Sequence, residues 1–173
     1  LAGLGIEFEV LPSNIPEVWP DSPPRNAVEQ LALAKAKSVA GRLASGTVLG
    51  ADTAVILGDE VFGKPIDLED ARRMLRALRG RVHEVITGVA LVEAGATRET
   101  ATSVVTRVVM KDYDDAEINQ YITSGEPFDK AGAYAVQGRG NALVAAVDGC
   151  YTNVVGLPLT TTRRLLESWG VLR

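Results

Sequence analysis

The sequence predicts an α/β domain built around a mixed sheet. Segments with helical spacing alternate with β-branched runs. Two of those runs, Val82 to Val92 and Thr100 to Met110, flank a Gly-Ala-Thr turn as in a hairpin. The length of 173 residues and hydrophobic content of 46% suffice for one domain with a real core, or two small lobes.

The elements follow in order. Leu1 to Gly5 reads as a helix end with its C-cap glycine. Ile6 to Leu11 reads as a short strand, and the five prolines from Pro12 to Pro24 define a loop. Asn26 to Leu43 is a helix, with Val28, Leu31, Ala32, Val39 and Leu43 on one side. Thr47 to Ala51 and Ala54 to Leu57 read as strands, with a turn at Gly58-Asp59 before Val61-Phe62. Asp67 caps a helix over Leu68 to Leu78, and Asp70 supplies its acidic first-turn residue. After the hairpin, Asp114 caps a short helix ending near Ser124. Gly125 to Gly140 is a charged, glycine-rich region, and Ala142 to Val147 is a strand. Pro158 opens a last helix that buries Leu165, Leu166 and Trp169.

Composition excludes several classes. The net charge of -4 argues against nucleic acid held by bulk electrostatics. A small anionic ligand needs only a local lysine or arginine cluster. Cys150 is the single cysteine, so no internal disulfide forms, which suits a reducing cytoplasm. With one histidine as well, a Cys/His metal site is excluded. No apolar run approaches the ~20 residues of a membrane span, and no basic leader with an apolar stretch opens the sequence.

Three segments carry chemistry. Gly50-Ala51-Asp52-Thr53 puts a carboxylate at the end of an apolar strand, beside residues small enough for close approach of a ligand. Gly63-Lys64-Pro65 puts a lysine on a turn just beyond it. An acid that holds a metal or a water, near a lysine that holds phosphate, is a minimal kit for attack on a phosphoanhydride. The alternative is a solvated turn aspartate. The second segment, Ser124 to Gly138, joins Asp129-Lys130-Ala131-Gly132 to a strand-like Ala133-Tyr134-Ala135-Val136-Gln137-Gly138. The third, Asn153 to Pro158, reads as a strand end turning into a helix N-terminus, which favours anions.

Taken together these motifs resemble the Maf family of nucleoside triphosphate pyrophosphatases. Met74-Leu75 with Leu78-Arg79-Gly80, His83 with Thr87-Gly88-Val89, Gly125-Glu126-Pro127 and Val154-Val155-Gly156-Leu157-Pro158 extend the likeness over nearly the whole chain. The resemblance implies an ITPase-like (Maf/Ham1) three-layer fold, with an elongated mixed sheet and a cleft between two lobes, in a single domain over residues 1–173. It implies hydrolysis of the α–β bond of a nucleoside triphosphate, with a divalent cation, Mg2+ or Mn2+. Asp52 would be the general base. Thr53 and Gln137 match the group acting on dTTP and UTP, rather than the sister group acting on 7-methyl-GTP. Lys35, Lys64 and Lys130 would bind phosphate, and Glu17 with Asp52 would hold the metal.

Other roles stand beside these. Lys130 could instead pair with Asp129 or Glu126, and Gln137 could bond a neighbouring backbone. Its amide offers the donor and acceptor that thymine or uracil requires. His83, alternating with buried positions on a strand, reads as structural. The family also opens with a strand and Ser-x-Ser-Pro-Arg-Arg, of which only a last helical turn, Leu1 to Ile6, is matched here. The expectation is that this strand and phosphate-binding loop precede residue 1. The resulting expectation is a cytoplasmic house-cleaning enzyme acting on dTTP, UTP or modified pyrimidine nucleotides. It has no nucleic-acid or membrane partner and is compatible with a homodimer. The contrasting reading is a catalytically silent nucleotide-binding module.

Overall fold

The structure, a computed structural model, describes residues 1–172. Pro23 and Pro24 set the start of the first long helix, α1 (Pro24–Ala40), because proline is pre-formed for the first turn and has no N–H to lose there. β1 (Thr47–Leu57) is one continuous strand rather than the two expected. It turns at Gly58 into β2 (Glu60–Phe62), pairing Val55 with Phe62 and Leu57 with Glu60 in antiparallel register. α2 (Leu68–Leu78) is capped by Asp67, whose side chain accepts from Asp70 N at 2.8 Å. β3 (Val82–Glu93) and β4 (Glu99–Met110) are the two long β-branched runs. α3 (Asp115–Ile122) begins at a reciprocal capping box between Asp114 and Glu117. β5 (Val144–Asp148), α4 (Tyr151–Val154) and α5 (Leu159–Ser168) complete the order.

The strand order is β2-β1-β3-β4-β5. The α/β class is as expected. β1 and β2 form an antiparallel hairpin, whereas α2 lies on the connection from β2 to β3 and α3 on that from β4 to β5. β4 pairs with β5 antiparallel, with an irregularity between Val109 and Met110.

Three local expectations change. Ile6 to Leu11 forms no strand, and the chain stays irregular from Ile6 to Pro20. Side chains of α1 and its exit hold it instead. Arg42 Nη2 donates to the Pro12 carbonyl at 2.6 Å and Ser38 Oγ to the Ser13 carbonyl at 3.0 Å. Ala133 to Gly138 is not a strand either, because Gly132 and Ala133 both take left-handed φ angles of 71° and 59°. Asn153 belongs to the short helix α4, not to a strand end.

The chain divides into two compact units. The first comprises Leu1–Asp52, Thr87–Val104 and the segment from Gly156 onward. Its core is made of small side chains: Ala32, Ala36 and Ala40 of α1 against Ala90, Val92 and Ala94. Smallness is needed because α1 lies unusually close to the sheet. A Cβ on Gly50 would overlap the Ala32 carbonyl oxygen, and one on Gly88 would overlap that of Val28. The second unit comprises Thr53–Ile86 and Val105–Val155. Its core is bulkier, with Phe62, Leu75, Leu78, Val85, Val108 and Ile118 all at 0% or 1% exposure. Burial of such side chains contributes roughly 1.5–3 kcal/mol each.

Candidate active site

In the first unit, the close approach at Gly50 determines what meets what. Side chains alternate along a strand, so Gly50 and Asp52 share the face that α1 covers. Lys35 lies one residue from Ala36, the residue packed on Gly50. Its Nζ reaches Asp52 Oδ1 at 2.6 Å and Glu17 Oε1 at 2.6 Å. Two carboxylates therefore converge on one ammonium. Asp52 is 10% exposed and Lys35 18%, whereas Glu17 is 50% exposed, so the Lys35–Asp52 contact is the screened one.

Burial is the largest single influence on Lys35 and by itself would lower its pKa. The hydrogen bonds to Asp52 and Glu17, together with their charges, outweigh it and hold the ammonium above its ordinary value. Lysine carries three N–H donors, and the two carboxylates take two of them. A cavity of about 520 Å³ in the same unit is lined by Lys35, Ser13, Gly50 and Ala51 together with apolar side chains such as Phe8 and Leu166.

Glu17 reaches this site on the irregular segment before α1. Lys35, Ser38 and Arg42, spaced three and four residues apart, lie along one side of α1 and its exit. They bond Glu17, Ser13 and Pro12 respectively. The sequence reading found Lys35 and Glu17 but missed Ser38 and Arg42. The signal was their helical spacing opposite a proline-rich strap. It also assigned the small size of Gly50 to ligand approach, whereas the structure assigns it to α1.

No group of three or more His, Cys, Asp or Glu side chains suited to a metal ion occurs among the described residues. Glu17 and Asp52 nonetheless fit a hard divalent cation. They are two oxygen donors already drawn to one positive centre, and Mg2+ commonly completes such a pair with water and substrate phosphate oxygens.

The second unit holds Thr53, Lys64, Lys130 and Gln137. Gly132 N donates to the Gly63 carbonyl at 3.0 Å, which joins the turn bearing Lys64 to the segment after Lys130. Lys130 Nζ pairs with Asp129 Oδ1 at 2.6 Å, the structural pairing considered from sequence. That hydrogen bond is the main reason the Asp129 carboxyl lies below its usual range, with Lys64 adding a smaller attraction. Gln137 is exposed. Glu126 spends its carboxylate on backbone, accepting from Arg139 N and Gly140 N, each at 3.1 Å to Oε2. His83 is buried and shares a 2.6 Å hydrogen bond with Tyr134 Oη, consistent with a structural role.

Lys35 of α1 is thus joined to Asp52 within β1, the strand that carries Gly-Ala-Asp-Thr in its interior and not at its end. The sequence profile described as Maf-like protein matches residues 1–169, and the chain belongs to that family. It is 46% identical over 171 residues to a dTTP/UTP pyrophosphatase of Pelotomaculum thermopropionicum, covering 98% of this chain and 90% of that protein. A dTTP/UTP pyrophosphatase of Moorella thermoacetica is 49% identical over 172 residues, covering 99% and 89%. One of Anaeromyxobacter dehalogenans is 50% identical over 173 residues, covering 98% and 87%. No helix among the described residues is long and apolar enough to cross a membrane.

Proposed function

We propose that this protein is a nucleoside triphosphate pyrophosphatase that hydrolyses dTTP and UTP to the monophosphate and pyrophosphate. The observation that carries the reading is the Asp52–Lys35–Glu17 constellation on a chain 46–50% identical to dTTP/UTP pyrophosphatases. Asp52 accepts a proton from the attacking water, whose oxygen bonds to the α-phosphorus as the bond to the bridging α–β oxygen breaks. The electron pair leaves on pyrophosphate. Lys35 has two functions. Its ammonium holds the Asp52 carboxylate in place at 2.6 Å, and its third N–H serves a phosphate oxygen.

Glu17 and Asp52 are the residues that would hold a divalent cation. When bound, Mg2+ or Mn2+ supplies positive charge that offsets the negative charge of the triphosphate. Lys64 and Lys130 offset charge on the leaving pyrophosphate. Thr53 and Gln137 read the base, Gln137 by offering both a donor and an acceptor to an imide edge. A cytoplasmic location and a homodimer belong to the same reading.

The test is pyrophosphate release from dTTP, UTP, 7-methyl-GTP and purine triphosphates, with Mg2+ and with Mn2+. The expected result is metal-dependent turnover with the highest kcat/KM for dTTP and UTP. Preference for 7-methyl-GTP, or binding without turnover of any triphosphate, would overturn it.

A further inference from the structure

We propose that Glu126 is a positioning residue for base selection, acting by holding the turn that presents Gln137; the inference rests on Gln137 reading the base. Gln137 stands at the start of a tight 3-10 turn, Gly138–Leu143. The N–H groups at the start of such a turn lack partners within it. The carboxylate of Glu126 supplies them. Oε2 accepts from Arg139 N and Gly140 N, each at 3.1 Å, and Oε1 accepts from Arg139 N at 3.3 Å. Hydrogen bonds to an ionised acceptor are about twice as strong as neutral ones.

The fit around the carboxylate is close on a second side. Gly138 has a φ of 68°, and a Cβ there would overlap Glu126 Oε1. Glycine at 138 thus serves the approach of Glu126 as well as the backbone angle. Gly140 packs on the backbone of Ala135, so the two ends of the Gln137 segment touch. Glu126 itself enters from Gly125, a left-handed residue, and its N–H is taken by Ser124 Oγ at 3.3 Å. The backbone that follows Gln137 is therefore tied to Glu126. Since a base-reading site discriminates by pairing its polar groups, an amide displaced from its place loses selectivity.

The experiment measures kcat/KM for dTTP, UTP, dGTP and ATP in the full chain and in Glu126→Ala, Glu126→Gln, Gln137→Ala and the Glu126→Ala/Gln137→Ala double variant. Melting temperatures are taken alongside. The expected result is a fall of about tenfold in the preference for pyrimidine over purine triphosphates in Glu126→Ala, the scale of losing hydrogen bonds to a charged acceptor. Glu126→Gln keeps the shape and one acceptor oxygen. It should fold and retain part of the preference, so it serves if the alanine variant does not fold. In the Gln137→Ala background, removing Glu126 should leave the preference unchanged. A merely structural Glu126 would lower all four rates together and leave their ratios alone, which would overturn the inference. Equal loss of preference with and without Gln137 would overturn it too. If Gln137→Ala itself leaves the preference intact, the base-reading role of Gln137 falls, and with it this inference. Loss of preference in Gln137→Ala but in neither Glu126 variant sinks the positioning role alone.

Discussion

Lys35 Nζ lies 2.6 Å from Asp52 Oδ1, and the reach depends on Gly50 having no side chain. Any Cβ at position 50 would push into the backbone of α1 at Ala32 and against Ala36. Gly50→Ala is therefore expected to destabilise the protein by about 1–3 kcal/mol, the usual cost of overpacking. It should also lower kcat/KM by displacing Lys35 from Asp52. Urea unfolding and pyrophosphate release measure the two effects. A variant as stable and as active as the parent would show that α1 does not depend on this approach.

Asp52→Asn keeps the shape of the side chain and removes its charge and basicity. Lys35 retains Glu17 as a partner, so the fold should persist. Turnover of dTTP and UTP should drop ~100-fold or more, the usual contribution of a general base. Activity within a few-fold of the parent would remove Asp52 from that role.

Changing Gln137 to Glu replaces a donor-and-acceptor group with an acceptor alone at neutral pH. The expected outcome is a larger fall in kcat/KM for dTTP and UTP than for a purine triphosphate. A uniform fall across all triphosphates would mean that Gln137 does not read the base.

Burial lowers the pKa of His83 to about 4 from an ordinary 6.5. Its Nδ1 is buried without a hydrogen-bond partner among the described residues, so no acceptor there holds a proton on the ring. The unfolded chain thus binds a proton that the folded chain rejects between those two values. Stability from this group is complete above pH 6.5 and is lost as pH falls toward 4, by up to about 3 kcal/mol. Unfolding free energies measured over that window should fall less steeply with decreasing pH in His83→Asn than in the parent. Identical slopes would rule out His83 as the source.

The local grammar of the chain was legible in its sequence. Asp67 and Asp114 cap helices as read, because a cap needs only a side chain and the N–H groups two or three residues on. The long strands β3 and β4 follow from β-branched runs around a short turn. Asp52, Lys35 and Glu17 were legible through family resemblance, and the first unit does bring those three together. Other features depended on tertiary contacts that no local pattern encodes. Ile6 to Leu11 has strand-like composition but no ladder partner among the described residues, so the side chains of α1 and Arg42 hold the following segment instead. Left-handed angles at Gly132 and Ala133 turned a strand-like run into a bent one. The meaning of Gly50 and the role of Glu126 were settled only by what folding placed beside them: a helix backbone in one case and two backbone N–H groups in the other. A residue type states what a position can do, and only its three-dimensional neighbours decide which of those capacities is used.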